Sequence, residues 1–161
     1  MSLPPGVKIR AAGPGDAAFI QQVHEDSIRG LGPRAYSRAE VESWATGLKP
    51  TGYVWAMTQG GETFLVAEVI RIVAFCSFTA DEVKGLYVRP EWAGRGIGGE
   101  LLARAEIALR AGGRDCIRIA ASLPAVGFYL ARGYEIVRRR SLRTRGGLVI
   151  DIADMKKLVR H

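Results

Sequence analysis

Cysteine, histidine and long apolar runs are all scarce in this sequence, and each scarcity narrows what the chain can be. Two cysteines and two histidines occur in 161 residues, with no Cys-x-x-Cys pair and no Cys/His cluster. The spacing of a zinc or dithiol site is therefore missing, and no metal is expected. Cys76 in IVAFCSF and Cys116 in CIRIAAS lie in strand-like apolar contexts and read as buried structural thiols. No run of 18 apolar residues occurs, so no membrane-spanning helix is expected. The opening MSLPPGVKIR lacks the apolar stretch of a secretory signal, which makes a cytoplasmic location the expectation. No Lys-Ser or Lys-Thr pair exists, which removes the Walker phosphate loop. Internal repeats and low-complexity segments are absent as well.

What is present fits one globular domain over residues 1–161: 48% hydrophobic and 24% charged residues, enough chain for a real core. The formal net charge is +7, and five arginines in RRRSLRTR, residues 138–145, account for most of it. Such a segment can bind nucleic acid or an anionic ligand, or it can be a solvated hairpin. No aromatic residues are interleaved with these arginines, which argues against nucleic acid.

Periodicity and punctuation give an element order. VKIRAA reads as a strand. Asp16 is placed to cap a helix running to about Arg29, with Ile20, Val23 and Ser27 near one face. SRAE at Ser37 to Glu40 has capping-box spacing for a second helix to about Thr46, and GLKPTG breaks it. Tyr53 to Gln59 fits either a short helix or a strand. TFLVAE and RIVAFCSF read as antiparallel strands joined near Ile70, and EVKGLYV as another strand ending at Pro90. A helix follows from Gly98 to Ala111, with Ile97, Leu101, Ala105 and Leu109 on one stripe and Glu100/Arg104 and Glu106/Arg110 as outer pairs. CIRIAAS is a strand, AVGFYLARG a short helix closed by Gly133, and YEIVRRRSL and LVIDIADMKK two final strands. The fold class is α/β (α+β): a mixed, mostly antiparallel central sheet flanked by helices.

Glycines at 94, 96, 98 and 99 fall where the strand EVKGLYV gives way to a helix. Glycine serves a backbone that must turn with positive φ or admit a close neighbour. A helix N-terminus adds unpaired N–H groups and the positive end of a dipole, so the stretch suits an anion such as a phosphate. Gly94, Gly96 and Gly99 satisfy Gly-x-Gly-x-x-Gly, yet a dinucleotide fold wants that motif in its first strand–helix–strand unit. Here it comes past the middle of the chain.

LYVRPEWAGRGIGGELL resembles the coenzyme A-binding motif of the GNAT superfamily of N-acetyltransferases, usually written Gln/Arg-x-x-Gly-x-Gly/Ala after a strand. Gly96 and Gly98 match its small positions, and Ala93 stands where the family has Gln or Arg. SLPAVGFYLARGY is similar to the family's later Asn-x-x-Ala-x-x-Phe/Leu-Tyr-x-x-x-Gly-Phe/Tyr. Ala125, Phe128, Tyr129, Gly133 and Tyr134 match, with Ser122 in place of Asn. ADMKK resembles the family's terminal strand. The resemblance spans about residues 60 to 157 and, more loosely, the two N-terminal helices.

The resemblance implies acetyl transfer from acetyl-CoA to a primary amine by direct attack in a ternary complex. It implies a pyrophosphate on the N–H groups of Gly94, Arg95, Gly96, Ile97, Gly98 and Gly99, with Arg95 adding charge and Ser122 in the second motif also at the cofactor. It implies a bulge near Leu86 and Tyr87, with backbone groups of Tyr87 and Val88 freed for the pantetheine and the thioester carbonyl. Tyr129 takes the family's general-acid position and Glu82 the place of its water-mediated carboxylate base. His24, Ser27, Arg29, Tyr36 and Trp44, facing Arg138 to Arg145, are the acceptor-side candidates, the acceptor being a small-molecule or protein amine. An arginine-rich hairpin there suits an acceptor bearing a carboxylate or phosphate. Two other readings stay open: a non-catalytic acyl-CoA-binding or regulatory domain, given Ala93 and Ser122, and a nucleic-acid module using Arg138 to Arg145. A terminal sheet edge also leaves room for a homodimer.

Overall fold

Seven strands join one sheet in the computed structural model, which describes residues 3–159. They are Lys8–Ala11 (β1), Thr63–Val69 (β2), Arg71–Phe78 (β3), Glu82–Val88 (β4), Cys116–Ser122 (β5), Glu135–Arg143 (β6) and Val149–Leu158 (β7). Their order across the sheet is β1-β2-β3-β4-β5-β7-β6, and every neighbouring pair is antiparallel except β4 with β5. This is the mixed, mostly antiparallel sheet that the sequence predicts. Five helices flank it: Ala17–Leu31 (α1), Arg38–Ala45 (α2), Pro50–Thr58 (α3), Ile97–Ala111 (α4) and Val126–Leu130 (α5).

Burial follows the patterns that specify these elements. Ile72 to Phe78 of β3 are all buried, as a strand covered on both faces must be. On one face lies the α4 stripe of Ile97, Leu101, Ala105 and Leu109, packed with Val83, Ile117 and Met155. Each such fully buried aliphatic side chain contributes roughly 1.5–3 kcal/mol. On the other face, Ile20 and Val23 of α1 and Tyr53 of α3 meet Phe64, Val66 and Phe75. A third cluster joins Ile28, Tyr36 and Val41 to Ile150 and Ile152 of β7.

Ser37 and Glu40 form the reciprocal cap of α2, with Glu40 N–H donating to Ser37 Oγ at 3.2 Å and Ser37 N–H to Glu40 Oε1 at 2.8 Å. Asp16 does not cap α1 in the expected way. Its carboxylate turns back to the Gly13 N–H and to Arg10, each at 2.9 Å, closing the tight turn Pro14–Asp16 before the helix. Pro50 opens α3 instead of extending the break after α2, because a proline costs nothing where the helix's first N–H groups have no partner. Glu106 turns inward, accepting from Tyr134 Oη at 2.7 Å and pairing with Lys157 Nζ at 3.1 Å. Glu100 and Arg104 pair as expected, at 3.2 Å. Cys76 is buried and Cys116 half-buried, both as free thiols.

The functional consequence of this topology lies at β4. Its parallel partnership with β5 lasts only two residue pairs, Glu82↔Arg118 and Val83↔Ile119, after which the strands part. The irregularity in its ladder with β3 falls at Lys84, where Ser77↔Gly85 is followed by Phe78↔Val83. The bulge is thus earlier than the expected Leu86 and Tyr87. The Arg89 N–H donates to Val73 O at 2.8 Å, and the register runs unbroken from Val88↔Ala74 to Gly85↔Ser77. Alternation in an antiparallel ladder then turns the N–H and C=O of Tyr87 toward β3, and those of Leu86 and Val88 into the gap left by β5. Of the two residues whose freed backbone the resemblance implied, Val88 faces the gap and Tyr87 does not; Leu86 takes its place.

Candidate active site

Two clefts lie on opposite sides of β4, with a small void between them. The first, about 250 Å³, is walled by Leu86 and Val88 of β4, by Gly94, Gly96, Ile97, Gly98 and Gly99 at the start of α4, and by Phe128 and Tyr129 of α5. Gly94 and Gly96 hold φ of 76° and 85°, a left-handed conformation that a side chain resists, and Gly96 is the N-cap of α4. The chain thereby points the first N–H groups of a 15-residue helix at the cleft. Gly98 is different. It is helical, and a Cβ there would meet Val88 Cγ2 at 3.5 Å and Phe128 at 3.6 Å, so its missing side chain leaves room within the cleft wall.

Two arginines flank this cleft that sequence reasoning passed over. Arg132 stacks its guanidinium 3.7 Å from the Phe128 ring centre, bonds Phe128 O at 3.0 Å, and lies against Gly99. Arg34, between α1 and α2, closes the other side. The only signal for Arg132 was its place in YLARG, after the matched tyrosine. Arg95 instead stacks over Trp92 at 4.6 Å and is not among the lining residues.

Tyr129 is 3% exposed, its ring edge-on to Phe128 and Tyr134 at 5.1 and 5.4 Å. Burial raises its phenol well above the ordinary value of 10. Among the described residues its hydroxyl has no hydrogen-bond partner, and the residue lines the cleft.

The second cleft, about 510 Å³, is lined by His24, Trp44, Tyr53, Phe75 and Tyr87, with Lys49, Glu62, Lys84 and Arg145 supplying charge. His24 Nδ1 is 2.8 Å from Tyr53 Oη, and its ring lies 4.2 Å from that of Tyr87. Burial, with the charge of Arg145 adding to it, pushes His24 down to about 3 from its ordinary 6.5. The imidazole is neutral across the working range.

That depressed value has a measurable sign. Between about pH 6.5 and about pH 3 the unfolded chain binds a proton at His24 that the folded chain refuses, so acidification through this window lowers stability. Urea unfolding at pH 7 and pH 5 is expected to show a smaller acid loss in His24→Gln than in wild type. Equal losses would contradict the burial of an uncharged imidazole.

A void of about 40 Å³ separates the two clefts, bounded by Ser27, Trp44, Leu86, Tyr87, Ser122 and Ala125. It shares Leu86 and Ala125 with the glycine cleft and Trp44 and Tyr87 with the aromatic one. Ser27 is 1% exposed, and its Oγ is the one buried side-chain oxygen or nitrogen without a hydrogen bond among the described residues. Ser122 borders this void and does not line the glycine cleft.

Other predicted residues fall elsewhere. Tyr36 is a structural tie outside the lining of the aromatic cleft: its hydroxyl donates to Asp151 O at 2.6 Å and accepts from the Leu123 N–H at 2.9 Å. Glu82 lines a separate depression with Arg118, Arg138, Arg140 and Asp154, and reaches the aromatic cleft only through Lys84, 3.8 Å away. The structure does not bring it together with Tyr129. Arg29 pairs with Glu42 at 3.1 Å on the surface. The arginine segment is no single patch: Arg138 and Arg140 bind Asp154 at 2.8 and 2.7 Å, and Arg143 binds Gly147 O. Among the described residues no group of three or more His, Cys, Asp or Glu could hold a metal, and no helix is long and apolar enough to cross a membrane.

Residues 60–136 match the family model described as the acetyltransferase (GNAT) domain. The whole fold superposes on a GCN5-related N-acetyltransferase from Rhodopseudomonas palustris with a TM-score of 0.88 and 27% identity, covering 99% of each chain. Residues 60–136 form a GNAT acetyltransferase domain. Two less similar chains share the fold: the PaiA N-acetyltransferase of Thermoplasma acidophilum, solved in complex with coenzyme A, and yncA of Salmonella typhimurium, solved with its cofactor acetyl-CoA. The first is 22% identical with a TM-score of 0.75, covering 99% of this chain and 100% of that one. The second is 18% identical with a TM-score of 0.72, covering 96% and 95%. No curated protein sequence matches at a significant level. The matched residues contain β4, the glycine turn, α4 and α5, which together build most of the first cleft.

Proposed function

We propose that this chain transfers an acetyl group from acetyl-CoA to a primary amine by direct attack in a ternary complex. The observation that carries the reading is the pair of clefts meeting at Leu86 and Tyr87, where β4 has lost its partner β5. The residues of the glycine cleft fit coenzyme A. Left-handed Gly94 and Gly96 and the N-terminus of α4 suit the pyrophosphate, with Arg34 and Arg132 beside it. Leu86, Val88 and Phe128 offer an apolar wall for the pantetheine arm, and the backbone of Leu86 and Val88 turns hydrogen-bonding groups toward it.

In this reading the acceptor enters through the aromatic cleft. Its nitrogen bonds to the thioester carbonyl carbon, the carbon–sulfur bond breaks, one proton leaves the nitrogen and one reaches the departing thiolate. The Val88 N–H supports the carbonyl oxygen as charge develops on it. Tyr129 donates to the thiolate. Ser27 Oγ, unpartnered in the void between the clefts, orients the amine or the acetyl oxygen. Proton removal from a protonated amine of pKa about 10.4 requires a base. Glu82 serves through water past Lys84, and Glu62 is the carboxylate that lines the cleft itself.

Incubating the protein with acetyl-CoA and a panel of amines, with thiol release as readout, tests the reading. Acetyl-CoA is expected to raise the melting temperature more than NADH or ATP, since a ligand bound only by the folded state adds RT ln(1 + [L]/Kd). Binding without turnover on any amine would favour a silent acyl-CoA-binding domain, and a larger shift with NADH would remove the coenzyme A reading.

A further inference from the structure

We propose that the aromatic cleft selects an acceptor whose amine is carried on a molecule that also bears an anionic group, with Arg145 as the counter-ion. The inference rests on the acetyltransfer reading and adds the chemistry of the acceptor.

Three basic side chains, Lys49, Lys84 and Arg145, line this cleft against one acid, Glu62. A site for a simple cationic amine would have the opposite balance, because like charges repel in a partly dry pocket. Lys84 is shared with Glu82 at 3.8 Å, which leaves Lys49 and Arg145, and of these two Arg145 is the one fixed by hydrogen bonds to backbone.

Arg145 is held in place by backbone. Its Nε donates to Thr46 O at 2.8 Å and its Nη2 to Trp44 O, at the C-terminal end of α2. Helix-end carbonyls without partners favour such a cation. Those bonds use one edge of the guanidinium and leave Nη1 free of any carboxylate among the described residues. The contrast lies within one hairpin: Arg138 and Arg140 have Asp154, while Arg145 has only carbonyl oxygens. Its charge acts on His24, Tyr53 and Tyr87, three walls of the cleft. A fixed guanidinium with an open edge is the preferred partner of an oxyanion, and holding it rigid lowers the entropy lost on binding. Trp44 then links the two ends of the device: its carbonyl fixes Arg145, and its ring borders the void that leads to the glycine cleft.

The test uses matched acceptors on the full chain: phenethylamine against L-phenylalanine, and propylamine against β-alanine and 2-aminoethylphosphonate, the last two separating carboxylate from phosphonate. In wild type the anionic member of each pair is expected to have a KM at least tenfold lower. Arg145→Gln is expected to raise that KM at least tenfold and the KM of the neutral amines by much less, so that the preference collapses, and Arg145→Lys to restore part of the difference. Preference for the neutral amines overturns the proposal. So does an Arg145→Gln protein that loses activity equally on both members, or whose melting temperature falls along with them, since that is the mark of a purely structural arginine. Failure of every anionic amine while acetyl-CoA still binds, measured by calorimetry, overturns it too. Failure of acetyl-CoA to bind wild type removes the acetyltransfer reading itself, and the inference with it.

Discussion

Tyr129→Phe is expected to lower kcat by about 10²-fold, the usual range for loss of a general acid or its equivalent. The melting temperature and acetyl-CoA affinity should stay close to wild type. The ring makes the packing contacts, edge-on to Phe128 and Tyr134, and among the described residues the hydroxyl has no hydrogen-bond partner to lose. Burial keeps the phenol protonated well above its ordinary pKa, whereas a thiol has a pKa of about 8.5. Full proton transfer to the thiolate is therefore uphill, and in the proposed mechanism the hydroxyl works as a hydrogen-bond donor that stabilises the leaving group while solvent completes protonation. Tyr129 should accordingly add no pKa to the rate profile below pH 10. Steady-state thiol release checks both points, and an unchanged kcat would reduce Tyr129 to a core aromatic.

Gly98→Val is expected to weaken acetyl-CoA binding at least tenfold, about 1.4 kcal/mol, with little loss of stability. Gly98 lies in α4 with helical φ, and a Cβ there makes ordinary contacts with Val88 and Phe128. Valine is also a slightly better helix residue than glycine. Its γ-methyls, however, extend into the space between those two walls, which the proposed coenzyme A site needs open. Gly96→Val should behave differently. At φ of 85° a branched side chain costs on the order of 1–2 kcal/mol, so that variant loses stability and binding together. Thermal melts beside calorimetric titrations separate obstruction from strain.

The contrast between those glycines shows where a sequence is readable. Positive φ at Gly94 and Gly96 and helix growth after them follow from local rules, as do the Ser37/Glu40 cap and the buried α4 stripe. Gly98 looks identical on paper, yet its reason is tertiary: the approach of Val88 and Phe128 from 10 and 30 residues away. Asp16 misleads for the same cause. It has a sound capping position, but Arg10 offers its carboxylate a partner from another element. The parting of β4 from β5 was legible only through family resemblance, and the position of its bulge not even then. A one-residue shift in pairing decides whether Tyr87 or Leu86 faces the gap. Arg132 was hidden by composition, one more arginine in a chain with a net charge of +7, and Arg145 was legible only as a member of the segment Arg138 to Arg145, with nothing to set it apart from its neighbours.

The most direct measurement is a calorimetric titration of wild type and Gly98→Val with acetyl-CoA and, separately, with NADH. The account predicts one acetyl-CoA per chain in wild type, binding at least tenfold weaker in a Gly98→Val protein that melts at the wild-type temperature, and much weaker NADH binding to both. Equal acetyl-CoA affinity in the two folded proteins, or tighter binding of NADH, would place the cofactor outside the glycine cleft and contradict it.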